Sequence, residues 1–331
     1  MTLFLPSLKQ SGHLEQIHFT IFNVGSRKLS SNDDYASLGW DIFAPNLTIY
    51  GFDADADACD AANADLEARS VNWVEKHIPI ILGRVKGEST LYVTKSPECS
   101  SLYQPNQPYL RRFSEVGEMT ELEFQVEVET TTLDDFCKTE GIDQIDFLQT
   151  DVQGADLQVL QGALGLLQKS VLAIQTEVVF SHLYLNQPLF SDVDTYIREQ
   201  GLTLFDLRLA HRLRTQAPIG SAVRVGQLLW GDAYYFRDLI QPSSIQSNRE
   251  SPDRIFKLAC IADVMYFPDY ALELLEYLTL NYGVDRKYNF ANHIAIGLSQ
   301  FPDLVEEGLS SLPVIKNVRD YLDPEYAHLI T

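Results

Sequence analysis

Strand-like and helix-like patterns of apolar residues alternate along the chain from about residue 17 to residue 237. Short apolar runs, typical of buried strands, are separated by segments whose apolar residues recur at helical spacing. Such alternation is typical of βαβ units, so it predicts an α/β fold with a mostly parallel sheet flanked by helices. The seven predicted strands are IHFTIFNV (17–24), LTIYGFD (47–53), IPIILGRV (78–85), IDFLQTD (145–151), VLAIQTEVVF (171–180), LTLFDLRL (202–209) and QLLWGDAYYFR (227–237).

A longer segment interrupts this alternation between the third and fourth strands. Two further strand patterns, STLYVT (89–94) and EFQVEVET (123–130), enclose a polar loop, KSPECSSLYQPNQPYL (95–110). This loop is too long to be a simple connection, and we expect it to cover the ligand edge of the sheet. The segment 210–226 has no helical period, which predicts a loop that brings in the last strand in an antiparallel orientation.

The composition changes after Asp238. The stretch IQPSSIQSNRESPD (240–253) is polar and typical of a linker, and the segments beyond it carry apolar residues at helical spacing. The tripeptide FPD begins at residue 267 and again at 301, which matches the period of a helical repeat, but two helices that each begin with proline explain it more simply. We therefore predict an N-terminal lead-in (1–16), a sheet domain (17–240) and a helical C-terminal extension (241–331), which would act as a cap or an interface.

The charge balance is strongly acidic. The 331 residues include 46 acidic and 25 basic side chains, a formal net charge of -21, so nucleic acid would be repelled and is not an expected partner. The four cysteines lie far apart and form no CxxC pair, which favours a reducing cytoplasm. The N-terminal apolar patch is short and broken by Pro6, and no later run approaches the roughly 18 residues of a membrane span.

The turn after the first predicted strand, FNVGSRKL (22–29), contains one glycine, Gly25. A dinucleotide fold usually has three, as G-x-G-x-x-G, so that its backbone can approach a pyrophosphate. A cofactor without phosphates, such as S-adenosylmethionine, requires less, because one glycine lets the chain turn beneath it. The pattern therefore favours S-adenosylmethionine over a nicotinamide dinucleotide.

Asp53 ends the second predicted strand, 28 residues after Gly25. A carboxylate at this place can accept hydrogen bonds from both hydroxyls of a ribose. Nicotinamide and adenosylmethionine folds both carry an acid here, so Asp53 alone does not separate them. The alternative is that Asp53 only caps the helix predicted after it.

Three further residues are candidates for chemistry. Asp151 follows the fourth strand, and Glu177 lies in the fifth, where a carboxylate costs desolvation free energy unless it reaches solvent, a partner or a ligand. Ligands of open α/β sheets bind outside the carboxyl ends of the strands, which makes both acids candidate site residues. His182 could accept a proton from a hydroxyl. The alternatives are a helix cap for Asp151, a structural hydrogen bond for Glu177 and a solvated loop position for His182.

Other chemistries lack support in the sequence. The histidines show no metal-ligand spacing, so no metal site is predicted. There is no G-x-S-x-G elbow for a serine nucleophile. Two basic pairs, Arg111 with Arg112 and Arg212 with Arg214, could meet an acidic substrate, although a solvated surface explains both more simply.

The chain resembles the FkbM family of S-adenosylmethionine-dependent methyltransferases from about residue 17 to residue 238. The segment IDFLQTDVQGADLQVLQGA (145–163) is similar to the family's fourth-strand signature. The other stretches that carry the resemblance are CSSLYQPN (99–106), TTLDDFC (131–137), TEVVFSHLYLNQPLFSDVD (176–194) and GQLLWGDAYYF (226–236).

The resemblance implies a Rossmann-like, seven-stranded methyltransferase sheet with S-adenosylmethionine at its carboxyl edge. It assigns Asp151 to the region where cofactor and acceptor meet, and we predict Asp151, His182 and Glu177 as the catalytic residues. The residues that it implies for cofactor binding are Asn23, Gly25, Ser26, Asp53, Ala54, Gly83 and Asp151. Four positions depart from the family pattern: Asn23 replaces an acid, Lys28 and Leu29 replace a glycine-containing turn, and Asp156 replaces a glutamate.

The implied activity is methyl transfer to a hydroxyl oxygen of a glycan, a lipid-linked sugar or a secondary metabolite. Such transfer depends mainly on positioning, with a base where the hydroxyl loses its proton. Two alternatives remain open: a non-catalytic scaffold that binds a partner through the helical C-terminus, and a nicotinamide-dependent oxidoreductase. A homo-oligomer through the C-terminal extension is also possible.

Overall fold

A computed structural model describes residues 2–28, 34–241 and 251–330. The strands in these ranges are β1 (Phe19–Val24), β2 (Leu47–Phe52), β3 (Val74–Ile78), β4 (Ile81–Leu82), β5 (Gly87–Thr94), β6 (Leu122–Thr131), β7 (Phe147–Thr150), β8 (Ala173–Val179), β9 (Thr203–Arg212) and β10 (Gln227–Phe236). The helices are α1 (Leu5–Gln10), α2 (Ala56–Arg69), α3 (Gln107–Leu110), α4 (Val116–Met119), α5 (Leu133–Glu140), α6 (Asp156–Gln161), α7 (Leu164–Lys169), α8 (Phe190–Glu199), α9 (Pro252–Val264), α10 (Pro268–Tyr282), α11 (Ala291–Leu298), α12 (Pro302–Glu307) and α13 (Pro313–Val318).

Seven strands form one mixed sheet in the order β3-β2-β1-β7-β8-β10-β9. Strand β7 is parallel to both β1 and β8. Strand β10 is antiparallel to both β8 and β9. The predicted seven-stranded sheet with an antiparallel last strand is therefore confirmed.

The third strand lies earlier than the sequence predicts. It ends at Ile78, whereas the prediction began there, because Pro79 has no N–H with which to continue the pairing. The chain turns at Pro79, with the N–H of Ile80 donating to the carbonyl of Ile78. The apolar residues that follow form β4, which joins a separate sheet in the order β4-β6-β5. The two extra strands predicted around the polar loop correspond to β5 and β6.

Contacts divide the chain into two compact units. The sheet unit comprises residues 20–28 and 49–237, and the helical unit comprises residues 1–19, 29–48 and 238–331. In the sheet unit, Leu148 of β7 and Ile174 of β8 are fully buried together with Val159 and Leu160 of α6. Burial of each such side chain contributes about 1.5–3 kcal/mol, which fixes the strands whose ends carry the candidate site.

The helical unit joins the N-terminal segment to the C-terminal helices. The backbone N–H groups of Leu3, Phe4 and Leu5 all donate to the buried carboxylate of Asp263 in α9, over 2.8–2.9 Å. N–H groups at the start of a helix have no acceptor within that helix. Asp263 accepts them here, so it caps α1 from another helix.

Three sequence predictions concern the C-terminal part. Both FPD motifs begin helices, with Pro268 and Pro302 in the first turn, which confirms the simpler explanation. The predicted linker lies largely outside the described residues, and the predicted domain boundaries stay predictions. No helix in the described ranges has the length and apolarity that a membrane span requires.

Candidate functional site

The ends of four neighbouring strands bring most predicted site residues to one edge of the sheet. Gly25 follows β1, Asp53 follows β2 and Asp151 follows β7, while Glu177 lies near the end of β8. In the register of the parallel pairs, Val24 lies beside Thr150, which lies beside Thr176. The carboxyl edge therefore holds a glycine turn and three carboxylates.

Hydrogen bonds to neighbouring backbone fix the turn after β1. The N–H groups of Gly25 and Ser26 both donate to the carbonyl of Phe52, over 2.8 and 2.9 Å. The N–H of Asp151 donates to the carbonyl of Val24, which ties the same turn to the end of β7. Leu29, which was predicted to alter this turn, lies outside the described residues.

Asp53 organises the turn after β2 without capping the helix. One carboxylate oxygen accepts the N–H of Arg27 at 3.1 Å, and the other accepts the N–H of Asp55 at 2.9 Å. The N-cap of α2 is Asp55, which accepts the N–H groups of Asp57 and Ala58. A hydrogen bond from the Arg27 side chain is the main reason why the pKa of Asp55 lies below its usual value. The helix-cap alternative for Asp53 is thus wrong.

Asn23 presents a buried polar atom to this edge. Its side-chain oxygen is inaccessible to solvent and has no hydrogen-bond partner among the described residues. A buried acceptor without a donor costs about 1–3 kcal/mol, a penalty that a bound donor would remove. Where the family places an acid, Asn23 therefore still offers an oxygen acceptor.

Beneath the glycine turn lies a buried polar chain that sequence reasoning missed. The Ser26 hydroxyl contacts Nδ1 of His77 at 3.0 Å, and Nε2 of His77 contacts the Glu75 carboxylate at 3.1 Å. Glu75 also accepts hydrogen bonds from Lys28 and Trp73, both at 2.9 Å. We call these five residues the Ser26–His77–Glu75 network.

The network explains two sequence features. Burial by itself would raise the pKa of Glu75, but the hydrogen bonds from His77, Trp73 and Lys28 outweigh it and lower that pKa to about 2. A side chain at Gly51 would lie 2.5 Å from the His77 ring and 2.6 Å from the Ser26 hydroxyl, so the network also requires glycine in β2. Lys28, a departure from the family pattern, thus anchors the turn to β3.

The turn after β7 orients Asp151 through its neighbours. The side-chain amide of Gln153 donates to Asp151 at 2.9 Å and approaches Glu177 at 3.5 Å. Asp156, which is buried, accepts the N–H groups of Val152 and Gly154 at 3.3 and 3.2 Å. It is Asp156, the predicted replacement for a family glutamate, that holds this turn, and its burial raises its pKa to about 7.

The carboxylates at this edge raise one another's pKa. Asp232 of β10 lies directly opposite Glu177 in the antiparallel ladder. Burial raises the pKa of Glu177 well above its usual value, with a further rise from the charges of Asp151, Asp156 and Asp232. Desolvation by surrounding protein atoms and the charge of Asp232 also raise the pKa of Asp151, to about 6, a rise that the hydrogen bond from Gln153 partly offsets. An exposed ion pair with Arg208 partly offsets the same effect at Asp232.

The polar loop predicted to cover the sheet edge does contact it. The hydroxyl of Tyr184 shares its single proton between the carbonyl oxygen of Cys99, at 2.8 Å, and the side-chain oxygen of Gln153, at 3.0 Å. The hydroxyl of Ser101 donates to the backbone carbonyl of Gln153 at 2.8 Å. Pro105 forms a β-bridge with Tyr184, so residues 99–106 lie against both the Asp151 turn and the loop after β8.

Three predicted site residues lie away from these contacts. His182 is exposed, and its backbone carbonyl accepts a hydrogen bond from Asn106. Gly83 follows β4, and its N–H donates to the carbonyl of Thr131 in the smaller sheet. Ala54 is exposed next to Asp53. Ser26 is buried, and its hydroxyl is directed to His77.

Sequence reasoning missed several residues of this edge. Asp232 carries the same signal that pointed to Glu177, an acid within an apolar strand, and could have been found. Glu75, His77, Gln153 and Tyr184 carry no such signal, because their partners are distant in sequence or their neighbours are equally polar. Among the described residues, no three or more of the His, Cys, Asp and Glu side chains are grouped to hold a metal ion.

Comparison with protein families identifies one matching domain. Residues 45–203 match the model of the Methyltransferase FkbM domain. The match covers 159 of the 331 residues and identifies the domain that the sequence resemblance predicts, whose cofactor is S-adenosylmethionine. No curated protein matches the sequence at a significant level.

Solved structures give weaker likenesses. Methyltransferase FkbM from Methylobacillus flagellatus KT is 12% identical over 66% of this chain and 43% of that one, with a TM-score of 0.36. This chain therefore spans less than half of that protein. A putative tRNA (m1A22) methyltransferase from Streptococcus pneumoniae is 11% identical over 95% and 98% of the two chains, with a TM-score of 0.33. TrmK from M. capricolum, solved with S-adenosylhomocysteine, is 10% identical over 97% of both chains, with a TM-score of 0.31.

Proposed function

Because residues 45–203 form an FkbM methyltransferase domain, we propose that this protein methylates a hydroxyl oxygen of a glycan, a lipid-linked sugar or a secondary metabolite. The observation that supports the proposal most is the common edge of Asn23, Asp53 and Asp151, at the ends of three adjacent strands. Such an edge is where open α/β sheets bind their ligands.

The donor side is formed by Asn23, Gly25 and Asp53. When bound, S-adenosylmethionine supplies a methyl group on a positively charged sulfur. Each carboxylate oxygen of Asp53 accepts one backbone N–H and keeps capacity for one more hydrogen bond, as the two hydroxyls of a ribose would need. The unpartnered oxygen of Asn23 would accept a hydrogen bond from the amino group of the methionine end. These residues therefore provide hydrogen-bond acceptors for the two ribose hydroxyls and for the amino group of the cofactor.

The acceptor side is formed by Asp151, Gln153 and Glu177. The raised pKa of Asp151 makes its carboxylate a better proton acceptor than an ordinary aspartate, and Gln153 holds one of its oxygens in place. We propose Asp151 as the base that takes the hydroxyl proton, with Glu177 close enough to share Gln153. His182, which is exposed, remains the alternative base.

One observation favours the scaffold alternative. The N–H groups of Gly25 and Ser26 and the Ser26 hydroxyl all have partners within the protein. These three groups of the turn are therefore already engaged and do not offer a donor to a cofactor. A protein that keeps the fold but has lost the cofactor would look the same at these positions.

Calorimetric titration with S-adenosylmethionine and S-adenosylhomocysteine tests the proposal, with NAD as a third ligand. We expect micromolar binding of both sulfur ligands and about a 10- to 100-fold loss in Asp53→Ala, because two hydrogen bonds to a carboxylate are removed. Asp57→Asn, an exposed acid in the first turn of α2, is the matched control and should bind normally. A folded protein that binds neither sulfur ligand would support the scaffold alternative instead.

A further inference from the structure

The segment 207–231 has a charge pattern opposite to that of the whole chain. It contains four arginines, Arg208, Arg212, Arg214 and Arg224, and no aspartate or glutamate, although the chain carries a net charge of -21. It is the longest run of the chain without an acidic side chain, and it lies between Asp206 and Asp232. The basic pair Arg212 and Arg214 lies in this segment, and the other basic pair, Arg111 and Arg112, lies beside it.

The centre of this segment is the loop 213–226, which joins β9 to β10 at the carboxyl edge of the sheet. Its position follows from the register, since Gln227 pairs with Arg212 and Trp230 pairs with Val179 at the end of β8. Every residue from 215 to 225 is exposed. The loop therefore projects from the edge that carries Asp151 and Glu177.

Three aliphatic side chains of this loop are in contact with water. The exposed fraction is 86% for Ile219, 80% for Val223 and 58% for Val225. Arg224 lies between the two valines and is also exposed. Single exposed apolar residues are common on protein surfaces, but a group of three on one loop marks an interaction site.

Hydrogen bonds to residues 112–114 hold the base of the loop, whereas the hydrogen bonds of its tip join residues of the loop itself. The N–H of Thr215 donates to the carbonyl of Arg112, and the N–H of Ser114 donates to the carbonyl of Leu213. The guanidinium of Arg214 stacks 4.4 Å from the centre of the Phe113 ring. The second basic pair thus joins the first at the base, which adds positive charge beside the apolar tip.

We propose that the loop 213–226 docks this protein onto an anionic lipid surface, with Ile219, Val223 and Val225 in the apolar layer and Arg224 among the head groups. Apolar side chains flanked by arginine are the composition that binds at a membrane interface. Exposure of the whole tip favours this occupant over a protein partner, since a lipid layer surrounds an inserted loop on all sides.

The acidic remainder of the protein does not prevent this contact. At physiological ionic strength, charges more than about 8 Å from the surface are largely screened, so the local positive patch determines the attraction. The loop would bring the carboxyl edge of the sheet to the surface, where a lipid-linked acceptor would be presented. The docking itself does not depend on the proposed methyl transfer.

Vesicle co-sedimentation of the full-length protein tests the proposal. We expect binding to phosphatidylcholine vesicles that contain phosphatidylglycerol, little binding to phosphatidylcholine alone, and release at high salt. Arg224→Gln should weaken binding about fivefold, the equivalent of ~1 kcal/mol for one arginine at an anionic surface. Ile219→Ser combined with Val223→Ser should abolish it.

The matched control is Val284→Ser, a valine with 95% exposure in the helical unit, which should bind like the wild type. These side chains are exposed, so circular dichroism melting should not change in any variant. Equal sedimentation with both vesicle types, or undiminished binding of the Ile219/Val223 variant, would overturn the proposal. So would the absence of vesicle binding together with a dimer that this double substitution dissociates, because the loop would then bind a second copy.

Discussion

The carbonyl oxygen of Asp151 occupies the space that a side chain at Gly25 would need. A Cβ built on Gly25 overlaps this oxygen, and the backbone of Gly25 has a φ of 85°, in the left-handed region. Both features require glycine at this position. The close contact with Asp151 places the turn after β1 against the turn after β7. The glycine therefore brings together the donor and acceptor sides of the candidate site.

Gly25→Ala should consequently impair stability and cofactor binding together. The left-handed φ alone costs about 1 kcal/mol for alanine, and the overlap adds to that cost. Gly141→Ala is the matched control, because Gly141 has a φ of 69° but no atom within 4 Å of an added Cβ. Urea unfolding and calorimetry should show a larger loss in Gly25→Ala than in Gly141→Ala. Equal losses would mean that the contact with Asp151 is unimportant.

Replacement of Asp232 by asparagine should lower the pKa of Asp151. The negative charge of Asp232 contributes to the raised pKa of Asp151, so its removal favours the ionised carboxylate. An NMR titration of aspartate side-chain carbons should show the Asp151 transition at lower pH in Asp232→Asn. The acid limb of the rate profile should move in the same direction, because a general base is active only in its deprotonated form, at pH values above its pKa. Asp206→Asn, an exposed acid on β9, should leave both unchanged.

Tyr184 and Gln153 should act as one unit. Tyr184→Phe removes the hydrogen bonds to Gln153 and Cys99 while the ring stays buried, so we expect a loss of about 1 kcal/mol in the free energy of unfolding. Turnover should fall more than cofactor affinity, because Gln153 orients Asp151. In a double-mutant cycle with Gln153→Ala, the effects on turnover should be less than additive. Strict additivity would show that Tyr184 does not act through Gln153.

Periodicity in the sequence predicts the sheet because each buried strand is an apolar run with a marked end. That signal also places Asp53, Asp151 and Glu177, since an acid at the end of an apolar strand is conspicuous. It fails at β3, where VEKHI (74–78) alternates polar residues and the apolar run after Pro79 belongs to the smaller sheet. The prediction selected the more hydrophobic of two adjacent segments.

The Ser26–His77–Glu75 network could not be predicted, for a physical reason. Its members lie on β3 and on the turn after β1, and nothing in either segment specifies the distance between them. Only the fold brings Lys28 to 2.9 Å from Glu75 and leaves the Glu75 side chain without solvent contact. From the sequence alone, polar residues in a short strand cannot be told from solvent-exposed residues, because the element that buries them is distant in the chain.

The lowered pKa of Glu75 predicts how stability depends on pH. In the unfolded chain Glu75 titrates near 4.5, and in the folded protein near 2, so its ionised form stabilises the fold at every pH above 4.5. As pH falls from 4.5 towards 2, the unfolded chain takes up the proton first and this contribution is lost. Its full value at neutral pH is roughly 3 kcal/mol.

Glu75→Gln isolates this contribution, because glutamine keeps the size of the side chain and cannot ionise. At neutral pH the variant should be less stable, since Lys28 loses its charged partner. The difference from wild type should shrink by about 2 kcal/mol on going from about pH 6 to about pH 3, as measured by urea unfolding at each pH. Glu67→Gln, an exposed position on α2, should show no such convergence. A difference that stays constant with pH would show that the network does not hold Glu75 in its ionised form.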